Sequence, residues 1–162
     1  MTTLKLIACL VSFSLCVWTS AQVNDHALGL RGELGDHENR GEISYQLGFS
    51  DITRLELDLG YTRQNAADQI TTAGIYHWVL NLFGGFNAFI GPGARLGYYL
   101  PGNPELEGFT ADAGGQLGVE YDFSYNGPPL MLSFDARPMF RFIGDGKRGF
   151  TYGGAFAIRI TF

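Results

Sequence analysis

The chain has 162 residues and a formal net charge of −5; 46% of residues are hydrophobic, 14% aromatic and only 17% charged, with 23 glycines. It is too apolar and aromatic for a disordered chain and too acidic for a nucleic-acid binder, and glycines without a three-residue period exclude collagen. Low charge beside many glycines and aromatics is unusual for a soluble domain, where about a quarter of residues are charged.

Residues 1–22 have the form of a secretory signal peptide. Lys5 is its only charge, an apolar run extends from Leu6 to Trp18, and Thr19-Ser20-Ala21 supplies small residues before a cleavage point after Ala21 or Gln22. The apolar run is short for a membrane-spanning helix. Cys9 and Cys16 both lie in this leader, so the domain expected over 23–162 has no cysteine and no disulfide. Loss of Lys5 leaves Lys147 as the only lysine and moves the charge one unit further negative.

Beyond the leader, apolar and polar residues alternate with the period of a strand, broken by Gly, Asn, Asp and Pro clusters. Eight such segments follow. Leu28, Leu30 and Leu34 oppose Gly29, Arg31 and Glu33. Ile43, Tyr45, Leu47 and Phe49 oppose Glu42, Ser44, Gln46 and Gly48. Leu55, Leu57, Leu59 and Tyr61 oppose Arg54, Glu56, Asp58 and Gly60. The fourth segment, near 69–80, places Tyr76, Trp78 and Leu80 on its apolar face. The fifth sets Phe86, Ala88, Ile90, Ala94, Leu96 and Tyr98 against Asn87, Gly91, Gly93, Arg95 and Gly97. In the sixth, Leu117, Val119, Tyr121 and Phe123 oppose Gln116, Gly118, Glu120 and Asp122. The seventh sets Leu130, Leu132, Phe134 and Phe140 against Ser133, Asp135 and Arg137. The last sets Phe150, Tyr152, Gly154, Phe156, Ile158, Ile160 and Phe162 against Thr151, Gly153, Ala155, Ala157, Arg159 and Thr161.

Eight such strands predict an all-β fold, an eight-stranded antiparallel up-and-down transmembrane β-barrel. Connections near 51–53, 81–84 and 124–128 read as short. Those near 36–41, 64–69, 100–108 and 143–149 read as mostly longer. In an outer-membrane barrel this places both termini on the periplasmic side. A soluble barrel would turn its apolar face inward, but the polar face here is rich in Gly and Ala, lysine is nearly absent, and aromatics such as Tyr61, Trp78, Tyr98, Tyr121 and Phe162 fall near strand ends. Pro92 and Pro138 each remove a ladder donor, and a bulge or local distortion is expected beside Pro92.

Phe156, Ile158, Ile160 and Phe162 resemble the C-terminal recognition signal of bacterial outer-membrane barrels, which implies assembly by the barrel-insertion machinery. More narrowly, residues 84–162 resemble small outer-membrane β-barrel proteins of Bacteroidetes type. The resemblance rests on Gly91-Pro92-Gly93-Ala94 with Gly97-Tyr98-Tyr99, and on Gly118-Val119-Glu120-Tyr121. Leu132-Ser133-Phe134-Asp135-Ala136-Arg137-Pro138 and Ile158-Arg159-Ile160-Thr161-Phe162 complete it. The first half matches by pattern alone. This family implies a fold and an outer-membrane address, with no established activity.

The inward face carries Arg31, Glu33, Glu42, Glu56, Asp58, Arg95, Glu120, Asp122, Asp135, Arg137 and Arg159. An eight-stranded wall leaves room only for side chains, and buried charges must be paired. An interior ion network is therefore expected, with Arg137 and Arg159 meeting Glu120 and Asp135. Arg40, Arg63, Lys147 and Arg148, placed in or near external connections, are candidates for contact with lipopolysaccharide phosphates. Ser133 has no evident His partner, His26 and His77 map to the periplasmic half, His37 lies in an external connection, and no metal-ligand spacing appears. The expected protein is a non-enzymatic outer-membrane barrel with a plugged polar interior, without cofactor, whose partners are membrane lipid and lipopolysaccharide. A binding or transport barrel for a small or lipidic ligand is the alternative, and a lipid A-modifying enzyme a more distant one.

Overall fold

A computed structural model describes residues 23–35, 39–64, 67–101, 108–144 and 149–162. The leader read over 1–22, His37, Lys147 and Arg148 lie outside the described residues. The strands are β1 (His26–Gly35), β2 (Asn39–Ser50), β3 (Thr53–Gln64), β4 (Ala67–Phe83), β5 (Phe86–Tyr99), β6 (Gly108–Asp122), β7 (Leu130–Ala136), β8 (Met139–Ile143), β9 (Gly149–Thr151) and β10 (Gly153–Thr161). β7 with β8, and β9 with β10, are two halves of single staves. The register of β6 on its neighbour is unchanged from Leu117 opposite Ala136 to Gly114 opposite Met139. That of the last two staves is unchanged from Gly154 opposite Ala136 to Met139 opposite Thr151.

Eight staves thus run antiparallel to their neighbours, and the sheet closes where β1 pairs with β10, Leu28 opposite Ile160 and Leu34 opposite Gly154. Reciprocal backbone bonds between His26 and Phe162, at 3.2 and 3.0 Å, fasten this seam at the end holding both described termini. Closure satisfies the ladder on every edge, which a sheet in hydrocarbon requires.

The wall is inside out relative to a soluble protein. Leu30 is 63% exposed and Leu34 72%, while Arg31 on the same stave is 2% exposed; Phe134 is 64% exposed and Arg137 on its stave 1%. Strand parity alone produces this split. Outward aromatics gather at the two rims. Phe49, Trp78, Phe83, Tyr121, Tyr125 and Phe162 lie toward the termini end; Tyr61, Tyr98, Phe109, Phe142, Phe150 and Tyr152 lie toward the other. Amphipathic rings at both rims and aliphatic side chains between them define a band suited to a bilayer.

Both prolines interrupt a ladder locally, and of the two disturbances expected at Pro92 only the bulge is missing. No bulge forms at Pro92: the β4–β5 register is the same at Ile75 opposite Gly93 and Trp78 opposite Ile90, and only the bridges between them are absent. A missing N–H interrupts a ladder without inserting a residue. Gly91 has room for no side chain, since a Cβ there would collide with the Tyr76 carbonyl oxygen. Pro138 interrupts its stave at Arg137-Pro138, where its carbonyl accepts from Gly115 N at 3.1 Å.

The contrast in connection lengths is also weaker than the sequence suggested. β3 and β4 extend to Gln64 and Ala67, leaving only 65–66 between them, because polar residues continue the ladder beyond the apolar band. At the termini end, 123–129 is the long connection. It holds one 3-10 turn, Phe123–Tyr125, whose start is capped by the Asp122 carboxylate accepting from Ser124 N at 2.9 Å. The two-residue hairpin between β4 and β5 turns at Gly84, whose φ of +52° suits glycine.

Candidate functional site

Among the described residues, seven arginines and eight carboxylates are buried, all inside the barrel. They form three tiers. Nearest the termini end, Arg54 forks onto Glu120 at 2.9 and 2.6 Å, and its guanidinium lies 5.0 Å from the Phe89 ring centroid. Asn87 Nδ2 donates to the same Glu120 at 3.3 Å, and Arg54 Nε to His77 Nδ1 at 3.3 Å.

The middle tier is the hub. Arg31 forks onto Asp135 at 2.6 and 3.3 Å and donates to Glu42 at 2.5 Å and Glu33 at 2.8 Å. Arg137 donates to Asp58 at 2.5 Å, Glu56 at 2.9 Å, Gln116 at 2.9 Å and Glu42 at 3.4 Å. Arg159 donates to Glu56 at 2.9 Å, Ser44 at 2.9 Å and Ser133 at 2.8 Å. One connected network thus ties β1, β2, β3, β6, β7 and β10 together across the lumen. In the third tier, toward the loop end, Asp112 accepts from Arg95 Nε and Arg141 Nε, each at 2.9 Å, and Arg40 donates to Glu33 at 3.3 Å.

Local sequence makes the crossing possible. Each hub arginine has a cross-strand neighbour that is Gly or Ala: Arg31 faces Ala157, Arg159 faces Gly29, and Arg137 N bonds the Gly153 carbonyl at 3.2 Å. These small neighbours leave space on one side of each guanidinium, so it also reaches beyond its adjacent strands, Arg31 to Asp135, Arg137 to Asp58 and Arg159 to Glu56. At Gly29 a Cβ would meet the Ile158 carbonyl oxygen, so that close approach requires glycine.

All four residues expected to form the ion network face inward and are buried. Their pairing differs from the expected one. Arg137 and Arg159 meet Glu56, Asp58 and Glu42 on the opposite wall; Asp135 belongs to Arg31, and Glu120 to Arg54. Arg40, read above as an external cation, is only 4% exposed and turned into the barrel, because β2 begins at Asn39 and its parity points Arg40 inward. Arg63 does lie outside, near the end of β3, with Nε 3.6 Å from Asp68. Phe156, Ile158, Ile160 and Phe162 all lie on the outer face. Arg54, Asp112 and Arg141 were missing from the interior charges expected from sequence. Parity on the third segment already placed Arg54 there. Asp112 and Arg141 sit beyond the Gly114-Gly115 pair and Pro138, which hide the alternation.

The arrangement holds charge in place across the lumen. Ser133 Oγ is occupied by Arg159, His26 Nδ1 lies 2.8 Å from Tyr45 Oη, and among the described residues no group of three His, Cys, Asp or Glu is placed to hold a metal ion.

An apolar outer wall closed around a paired ionic interior defines a transmembrane β-barrel. Among solved structures the chain is similar to Neisserial surface protein A, with a TM-score of 0.62 at 12% identity over 85% of this chain and 94% of that one. It is also similar to the N-terminal β-barrel domain of Pseudomonas aeruginosa OprF, with a TM-score of 0.60 at 14% identity over 86% of this chain and 98% of that one. Both likenesses are of fold. No protein-family model and no curated protein matches the chain.

Proposed function

We propose that this is a bacterial outer-membrane barrel, exported by the leader over 1–22 and inserted through its C-terminal Phe162 signal, with a non-enzymatic structural or surface-interaction role. The observation that carries the reading is the inversion of polarity in a closed sheet: leucines and aromatics outside, seven buried arginines paired with carboxylates inside. A lumen crossed by Arg31, Arg137 and Arg159 leaves no open route for solute and favours a plug over a pore. The barrel likeness to Neisserial surface protein A and OprF supports the address. The test is fractionation of cells expressing the full chain. The expected product lies in the outer membrane, starts near Val23 and changes gel mobility on heating; a product retaining residues 1–22 in the inner membrane or cytoplasm refutes the proposal.

A lipid partner has support of its own. Arg63 is the one exposed Lys or Arg among the described residues. On the outer face it follows Tyr61 and Leu59, which with Leu30, Ile43 and Ile70 line a groove of about 480 Å³. A cation above an apolar groove suits an anionic lipid such as lipopolysaccharide. Arg40 drops out of this contact, while Lys147 and Arg148 stay in the proposal. Lipopolysaccharide retention unchanged by neutralising Arg63, Lys147 and Arg148 together refutes it.

A further inference from the structure

The connection 123–129 at the termini end holds Asn126-Gly127, and Asn126 alone among the asparagines of the chain is followed by glycine. Both residues are exposed, as are Pro128 and Pro129 after them. Asn126 ends the 3-10 turn, with φ −143° and ψ 16°, and its backbone N–H donates to the Phe123 carbonyl at 3.2 Å. Among the described residues, neither its side chain nor the Gly127 N–H makes a hydrogen bond. The chain is held again further on: Leu130 N donates to the Pro128 carbonyl at 2.7 Å, and Thr161 N to the Pro129 carbonyl at 3.1 Å.

An asparagine side-chain carbonyl can be attacked by the backbone nitrogen of the next residue, and glycine hinders that approach least. Gly127 has no Cβ, and its φ is free to absorb the rotation of Asn126 ψ that brings the nitrogen over the side-chain carbonyl. The rotation breaks no hydrogen bond among the described residues, because none uses the peptide between the two. The other described asparagines are tied down. Asn24 Nδ2 donates to Asp122 at 2.6 Å, Asn81 Nδ2 to the Gly84 carbonyl at 2.6 Å and Asn87 Nδ2 to Glu120 at 3.3 Å. Asn39 stands in the β1–β2 ladder opposite Leu34. Asn65 and Asn103 lie outside the described residues.

We propose that Asn126 is a site of spontaneous covalent modification, deamidating in the folded barrel through Gly127. The Gly127 nitrogen bonds to Asn126 Cγ, the Cγ–Nδ2 bond breaks, and ammonia leaves with the Gly127 proton. Water then opens the cyclic imide. Cleavage of the bond to Cγ gives aspartate; cleavage of the bond to the backbone carbonyl carbon gives isoaspartate, with the chain running through the former side chain. The net reaction consumes water and releases ammonia, with no change of oxidation state. Each product adds a carboxylate at the end that already carries Asp25, Asp51 and Asp122, while the one exposed Lys or Arg of the described residues, Arg63, stands at the other end. The Asn126 side chain takes no part in the bonds that fix the connection, which run from Ser124 to Asp122 and from Asn126 N to Phe123, so the aspartate form changes charge and leaves the fold intact.

The test is incubation of the full chain, folded into phosphatidylcholine vesicles, at mildly alkaline pH, followed by digestion and peptide mass spectrometry beside a sample digested without incubation. The peptide holding Asn126 is expected to gain the mass of an NH2-to-OH exchange and to split into aspartate and isoaspartate forms. Asn24, Asn81 and Asn87 should stay intact while the barrel is folded. Gly127→Ala, whose Cβ would have only the Phe123 carbonyl oxygen near it, at 3.2 Å, should slow the conversion several-fold. Asn126 intact in the folded protein overturns the proposal, as does conversion at the same rate in Gly127→Ala. Asn126→Asp carries the product charge and should unfold at the wild-type heat midpoint; a lowered midpoint overturns the claim that the aspartate form leaves the fold intact.

Discussion

Replacing Arg137 with methionine removes the centre of the hub while keeping the length of the side chain. Arg137 supplies the ion pair of Asp58, at 2.5 Å, and one of those of Glu56. Glu42 keeps Arg31, and Glu56 keeps Arg159. The main consequence is one buried carboxylate without a counter-charge, at a cost of roughly 3–5 kcal/mol. That corresponds to about a 150- to 4,000-fold loss in the folding constant. Arg137→Lys should be intermediate, because an ammonium cannot fork onto Asp58, Glu56 and Gln116 together. Adding Asp58→Asn to Arg137→Met should restore much of the loss by removing the stranded charge. The assay is urea unfolding of the barrel in lipid vesicles, read by gel mobility and tryptophan fluorescence. A single variant as stable as wild type, or a double variant no better than the single, would show that the hub does not depend on charge pairing.

Arg159→Met should also lower heat resistance, since it removes one of the two cations on Glu56 and the donor to Ser44 and Ser133, and an unchanged melting midpoint contradicts that role. Ile158→Arg, on the outer face, should cost about 2–4 kcal/mol if it meets the bilayer midplane; in vesicles its unfolding midpoint tests which face meets lipid. Gly91→Ala should prevent folding, because its Cβ would strike the Tyr76 carbonyl, whereas Gly32→Ala, which has open space outside, should fold with wild-type yield. Equal refolding yields for these two would contradict the close approach of β4 and β5. Phe162→Ala should reduce assembly in cells more than refolding in detergent; equal loss in both would assign the side chain to stability alone.

The fold was legible in the sequence because parity is a two-valued signal repeated along every strand. Each of the eleven inward charges read from alternation is buried. Partner choice was not legible. Alternation fixes a face, but each hub arginine also pairs beyond its adjacent strands, Arg31 with Asp135, Arg137 with Asp58 and Arg159 with Glu56, a distance set by closure of the sheet. Arg137 lies next to Gln116 and Gly153 and still finds Asp58. Arg40 was misplaced for a related reason: Asp36, Glu38 and Asn39 read as a connection, although the ladder resumes at Asn39. Asp112 and Arg141 escaped notice because glycines and Pro138 erase the local apolar pattern, while the register runs on from Leu117 opposite Ala136 to Asp112 opposite Arg141.

The proposed role as a plugged barrel requires that no path lead through the lumen. Single-channel recording of the folded chain in a planar bilayer tests this most directly. The expected current is indistinguishable from that of the bare bilayer at moderate voltage. Stable, stepwise conductance from the wild-type protein would contradict a filled lumen.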